Sequence, residues 1–447
     1  MKSLLYTLVL LLLSLPAVAQ SGDGKNDSGE HGVSIVTNTS YSYDMLEINQ
    51  NLRKMDVLLD ARQSGALRPG TIVFGTSIIA IADYQSATDN SKFGYLMRHP
   101  TAANEIGKTV SEAVLHSFQI GLTGVVNSWI TTFAEVLYDP EQSFGAGTIT
   151  ALTRNQLQLR KGFVLLADLD KYPVYMALGK MDAPFGQTDA VSPFTNSTMW
   201  HAFGGLGYGA QLGLKTAGLN VSFMAIQGGA QFRALNAPVE GTAVPSRLNN
   251  YVADVNYTAS INEDLTVRVG ASYVHGSTYC QNFPVVHFTP CDEPNPASTV
   301  YGKVTFQNRI TVKGGYAVTR DEWKGTFNPT PPLNQFAASK VSSLDAGIQI
   351  KLNQKGKVRY AVSGEFSNFV AGADGSPWER QNQLVVGVSG TVSTAAKLFV
   401  ELFKVDGYAP LNFISGSADF EPFPPGTTHS KADANSLGVV AGLHITL

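Results

Sequence analysis

Residues 344–366 read LDAGIQIKLNQKGKVRYAVSGEF, and their pattern decides the fold. In the first limb Leu344, Ala346, Ile348, Ile350 and Leu352 alternate with Asp345, Gly347, Gln349 and Lys351. In the second, Val358, Tyr360, Val362, Gly364 and Phe366 alternate with Arg359, Ala361, Ser363 and Glu365. A period of two puts alternate side chains on opposite faces of a strand. Asn353–Gly356 is a short polar turn between the limbs. The stretch is therefore a hairpin with one apolar and one charged face.

Outward from this hairpin the same rhythm runs from Thr71 to Leu447. Sixteen strands are expected, near 71–84, 115–126, 129–138, 155–167, 172–181, 207–215, 219–228, 248–260, 265–276, 299–306, 309–319, 341–352, 357–368, 382–392, 396–405 and 435–447. An open sheet curls or splits beyond about ten strands. Closure into a barrel, apolar residues outward and polar residues inward, accounts for both faces. The connections point the same way. Long ones (85–114, 139–154, 182–206, 229–247, 277–298, 320–340, 369–381, 406–434) alternate with short ones such as Asn127-Ser128 and Gln307-Asn308. Long loops outside and tight turns in the periplasm are the pattern of an outer-membrane barrel. The expected class is all-β: a transmembrane antiparallel β-barrel of about 16 strands over residues 71–447, preceded by a short N-terminal helix. Strict alternation in 155–167 puts Lys161 on the lipid face, so either a β-bulge or a different register is expected there. Tyr84, Tyr251, Tyr273, Tyr316 and Phe366 fall near outer strand ends, and Trp129, Tyr257, Phe306 and Tyr360 near inner ends, where aromatic girdles belong.

Composition agrees. Of 447 residues, 43 are Gly and 10% are aromatic, while charged residues reach only 15%. Mean hydropathy is close to zero without a long apolar run, so polar and apolar residues are finely interleaved. A net charge of −3 argues against a nucleic-acid partner. Residues 1–19 read as a signal peptide: Lys2, the apolar run Leu4–Leu13, and a small-residue cleavage site at Ala17-Val18-Ala19. Residues 20–42 read as a disordered periplasmic segment. Residues 43–66 read as a short helix or coiled coil, because Met45, Ile48, Leu52, Met55 and Leu59 repeat at 3-4-3-4 spacing. Two heptads leave two placements open: a helix packed on its own barrel, or a small oligomerising coil in the periplasm.

The stretch Lys180-Met181-Asp182-Ala183-Pro184-Phe185-Gly186, followed by Ser192-Pro193-Phe194-Thr195, resembles a Gly-basic-x-x-x-Pro-Phe-Gly … Ser-Pro-x-Thr stretch of Gram-negative porins. It is most similar to the LbtU-type siderophore porins, which also carry a short N-terminal coil. The resemblance implies an outer-membrane pore for an iron-siderophore or another small hydrophilic solute, without a large plug domain. Its partners would be outer-membrane lipid and lipopolysaccharide, the barrel assembly machinery and, as is usual for porins, two further copies in a homotrimer. A general, anion-selective or carbohydrate-selective porin shares the motif. An outer-membrane enzyme and an adhesin are the readings from other classes.

Strand parity turns Arg268, Lys303, Lys313, Lys351, Arg359 and Lys397 inward, mostly toward the periplasmic end, with Asp254, Asp345, Glu365 and Glu401 also inward. A basic arc would attract anions. The plainer reading is that these charges pair and solvate the wall. The third long loop is the candidate constriction loop, with Lys180, Asp182, Phe185 and Asp189 at the eyelet; its rival is a loop that caps the outside. Cys280 and Cys291 share one outer loop, and an exported chain favours a local disulfide between them. No metal-ligand spacing, nucleophile elbow or phosphate loop occurs, and neither an enzyme activity nor a cofactor is expected. His444 faces the lumen by parity and is expected to be a wall residue.

Overall fold

A computed structural model describes residues 33–90, 92–94, 107–139, 156–227, 248–280, 294–353, 356–393, 395–409, 428 and 430–447. A short strand, β1 (Ser34–Val36), leads into two helices, α1 (Thr39–Leu46) and α2 (Lys54–Gln63). Sixteen long strands follow: β2 (Thr71–Ala87), β3 (Thr109–Val125), β4 (Ile130–Asp139), β5 (Gln156–Ala167), β6 (Val174–Asp182), β7 (Leu206–Thr216), β8 (Leu219–Gln227), β9 (Leu248–Ser260), β10 (Leu265–Val274), β11 (Ala297–Phe306), β12 (Ile310–Thr319), β13 (Ser342–Lys351), β14 (Arg359–Val370), β15 (Arg380–Ser393), β16 (Ala396–Tyr408) and β17 (Lys431–Thr446). A third helix, α3 (Thr198–Phe203), lies between β6 and β7.

Each long strand pairs antiparallel with its sequence neighbours, and β17 returns to β2, with Ile445 opposite Ile78. The sheet is thus a closed sixteen-stranded barrel with no free edge. β1 adds a parallel rung to the start of β2, Ser34 opposite Thr71. All sixteen strands read from alternation are present. β3 begins at Thr109 rather than at 115.

The outer face is apolar. On the founding hairpin Leu344, Ile348, Tyr360 and Phe366 are exposed, whereas Asp345 and Glu365 are buried inside. Leu384, Val386 and Val388 continue the belt on β15, and Leu398, Val400 and Leu402 on β16. A continuous exposed apolar belt around a barrel is a bilayer-facing surface. Among the described residues no helix is long and apolar enough to cross a membrane. The chain is a bilayer-spanning barrel of the outer-membrane type.

Of the two readings of β5, the bulge is the one present. Glu135 pairs with Lys161 and Val136 with Leu159, so Arg160 is the extra residue. The slip turns Lys161 from the lipid to the lumen, where its Nζ lies 2.8 Å from Asp182.

The five heptad residues of 45–59 do not lie on one helix. Asn51 takes a left-handed φ of 51°, and the chain from Glu47 to Arg53 crosses between α1 and α2. Both helices sit inside the barrel. α1 starts at the Asn38 cap, whose side chain accepts from the Tyr41 N–H, and packs on β2, β3 and β17. Met55, Leu58 and Leu59 of α2 join one apolar core with Phe133, Phe163, Leu165 and Tyr175. Those wall residues are apolar on the luminal side, so this part of the lumen is packed against the helix. The strand Ser34–Val36 and the start of α1 at Thr39 fall within 20–42, the stretch read from sequence as disordered.

Candidate functional site

The lumen is built from three parts: the wall, the N-terminal segment and the third outer loop, residues 183–205. The loop turns inward and crosses to the far wall. Its Ser192-Pro193-Phe194-Thr195 stretch is held residue by residue. Glu365 on β14 accepts from the Val191 N–H (2.8 Å), the Ser192 N–H (3.0 Å) and the Ser192 hydroxyl (2.9 Å). Glu401 on β16 accepts from the Phe194 N–H (2.7 Å), the Thr195 N–H (3.2 Å) and the Thr195 hydroxyl. Lys397 donates to the Pro193 carbonyl at 2.9 Å. The Phe194 ring stacks on Phe399 of β16 at 5.1 Å. Buried carboxylates with several donors and a buried ammonium on a carbonyl satisfy groups that would otherwise be costly in a dry interior. Gly387 makes the approach feasible: a Cβ there would sit 2.5 Å from the Pro193 ring.

The N-terminal segment is tied to the wall by ions on several strands. Arg53 bridges Asp254 on β9 at 2.7 Å. Asp56 lies 3.5 Å from Arg268 on β10, and Asp60 pairs with Lys215 on β7. Glu47 lies 3.5 Å from Lys397 on β16 and 3.1 Å from His444 on β17. Lys54 donates to the Asp44 and Glu47 carbonyls at the end of α1 (2.7 and 2.8 Å), which steadies the crossing. Burial, and then the Lys161 ammonium, push the Lys54 ammonium down to about 8 despite Glu135 and Glu47. Burial alone would raise the Glu47 carboxyl, but Lys397, His444 and Lys54 outweigh it and hold it at about 2.

Segment and loop also hold each other. The Asn49 side chain donates to the Ser192 carbonyl at 2.7 Å, and the Ala190 N–H to the Asn49 carbonyl at 2.8 Å. The Leu52 N–H reaches Asp189 at 2.8 Å, and Arg53 reaches the Gly186 carbonyl at 2.7 Å. Together they fill much of the bore. Among the described residues no separate plug domain occupies the lumen; a short N-terminal segment does.

The candidate constriction residues divide. Phe185 and Asp189 lie on the inward loop; Phe185 is buried and packs on Phe203 at 5.9 Å. Lys180 and Asp182 end β6, with Lys180 donating to the Leu159 carbonyl at 3.1 Å and Asp182 paired with Lys161. The six basic residues divide too. Arg268, Lys303 and Lys313 are cross-strand neighbours at one level. Lys313 is spent on Asp345, on Glu365 at 2.8 Å and on the Asp189 carbonyl. Arg268 and Lys397 face acids of the N-terminal segment. The Lys351 ammonium donates to the Asn308 side chain at 3.3 Å, and among the described residues no ion pair of Lys351, Lys303 or Arg359 occurs. Cys280 is disulfide-bonded; Cys291 lies outside the described residues. His444 is buried in the wall, its Nε2 2.8 Å from the Ser77 hydroxyl.

A void lies at the periplasmic end. A cavity of about 450 Å³ lies between segment, loop and wall, lined by Tyr43, Asp44, Pro193, Lys351, Arg359 and Lys397, among others. Three cations and one acid border it. Parity located the cations; the residues contributed by the N-terminal segment had no signal in strand periodicity.

No family model matches the chain, and no curated protein matches it. Solved structures do. OprB from Pseudomonas putida aligns at 8% identity over 84% of this chain and 94% of that one, with a TM-score of 0.51. Its structural neighbours include outer-membrane porins. The anion-selective porin of Comamonas acidovorans aligns at 11% identity over 84% and 99% of the two chains, with a TM-score of 0.49. OmpT of Vibrio cholerae, in a trimer form, aligns at 12% identity over 83% and 99%, with a TM-score of 0.45. At such identities the likeness to OprB is one of fold.

Proposed function

We propose that the chain is an outer-membrane porin that passes small hydrophilic solutes and favours anions. The observation that carries this reading is the charged cavity at the inner mouth of an apolar-clad barrel, bordered by Lys351, Arg359 and Lys397. Water-filled lumens select by the charges on their walls. The iron-siderophore is the solute suggested by the Pro184-Phe185-Gly186 and Ser192-Pro193-Phe194-Thr195 stretches. The second of these anchors the inward loop, so the resemblance falls on residues with a structural task in the lumen. A homotrimer is part of the same reading.

Planar-bilayer recording of the refolded full chain tests it, in potassium chloride and then in potassium phosphate. Discrete openings with a reversal potential displaced toward the anion are expected across a salt gradient, closing in three steps if three barrels insert together. Inserted protein that stays silent in both salts at all voltages overturns the pore reading. Block by a ferric siderophore, but not by its iron-free form, would then single out that solute from other small anions.

A further inference from the structure

The N-terminal segment is seated through a cation that also borders the cavity. Lys397 Nζ lies 3.5 Å from Glu47 Oε2 and 5.4 Å from the Tyr43 ring, and it donates to the loop at Pro193. Glu47 is buried, and its other ionisable neighbours include His444, 3.1 Å away, and Lys54. On the cavity side stand Lys351 and Arg359, the latter without an ion partner among the described residues. A guanidinium presents a planar fork that suits carboxylate and phosphate oxygens.

We propose that this cavity is a binding site for a small oxyanion, and that its occupant competes with Glu47 for Lys397, so that segment 34–67 is a plug released by anionic solute. The physical reason is differential affinity. With an anion on Lys397, the seated Glu47 carboxylate loses a principal counter-charge while still buried, and breaking a buried pair is costly. With the segment withdrawn, the same lysine is free to take the anion at no such cost. A ligand that binds one state better shifts the population to that state, and seating must weaken anion binding by the same factor. Asp44, which the segment brings to the cavity wall, adds repulsion in the seated state only.

The proposal rests on the pore reading for its purpose, but its test needs no conduction. Ser42 is 3% exposed and abuts Gly75, where a Cβ would sit 2.3 Å from the Ser42 hydroxyl. Ser42→Cys is nearly isosteric and is protected only while α1 is seated. A water-soluble maleimide is added to the full-length variant in detergent micelles, with Ser64→Cys, on an exposed residue, as the reagent control. Inorganic phosphate replaces chloride at constant ionic strength. Labelling at position 42 should be slow in chloride and rise about tenfold in phosphate. The rise should vanish when Lys351→Gln and Arg359→Gln are added. Fast labelling in chloride would show that the segment is not seated. Slow labelling in both salts would show a fixed plug, and an equal rise in the double variant would show that the cavity cations are not the site. Each of these three overturns the proposal, while silent bilayers alone would leave the labelling result standing and count only against the pore.

Discussion

At the scale of single residues, the lumen is decided by a few buried ions whose partners come from distant strands. Lys313 on β12 serves Asp345 on β13, Glu365 on β14 and the Asp189 carbonyl of the inward loop. Glu365 in turn holds Val191 and Ser192. Lys313→Met therefore leaves two buried carboxylates facing each other. A loss of about 3–5 kcal/mol is expected, because removing one partner strands the other charge. The measurement is the urea midpoint of the refolded barrel, and adding Asp345→Asn should recover part of the loss. An unchanged midpoint would mean that the site is hydrated and the pair worth little. Parity alone turned Lys313, Asp345 and Glu365 inward. It could not say which cations were already occupied, because Lys313 and Lys351 look alike in a strand pattern. The distinction depends on cross-strand register, Lys313 opposite Gly347 and two residue pairs from Asp345, and on a loop that arrives from 124 residues away.

At the scale of elements, the strands were legible and the plug was not. Alternation gives strands because one face meets lipid and the other meets polar lumen. An amphipathic helix carries the same apolar stripe whether it coats the outside, pairs with another copy or fills the bore. The missing signal sat in the wall. Phe133 on β4, Phe163 and Leu165 on β5 and Tyr175 on β6 are apolar on the face that should be wet, which requires something apolar inside. The seat of this element also has a pH dependence. Glu47 faces Lys397 from β16, His444 from β17, Lys54 from α2, and Tyr43 and Asp44 from α1. Its carboxyl is held at about 2 when seated against an ordinary value near 4.5. A depressed carboxyl stabilises the seated form above the ordinary value, and this contribution is lost as pH falls from about 4.5 toward 2. Amide protection of residues 39–63, corrected for intrinsic exchange, should fall across that window. Glu47→Gln should show weak protection already at neutral pH and little further change. Protection that persists to pH 2 would assign the seat to the other ion pairs and to the apolar packing of α2.

At the scale of the whole molecule, closure and charge distribution act together. The sheet has no edge, its outside is apolar, and its ions gather within. Selectivity then depends on which luminal cations meet solute rather than on how many there are. Charge reversal separates the two. Lys351→Glu with Arg359→Glu changes residues that border the cavity and hold no ion partner among the described residues, so the fold should survive. The same double change replaces two positive charges by two negative ones at the inner mouth. The zero-current potential across a tenfold salt gradient should move from the anion side toward the cation side, and more strongly at low than at high ionic strength, since screening shortens from about 30 Å at 0.01 M to about 3 Å at 1 M. Lys303→Glu, in the wall but not among the residues lining the cavity, should shift it less. Equal shifts from both variants would locate selectivity in the summed field of the lumen. No shift from either would mean that current follows a path from which these three cations are remote, and the periplasmic cavity would then not be on the conduction route.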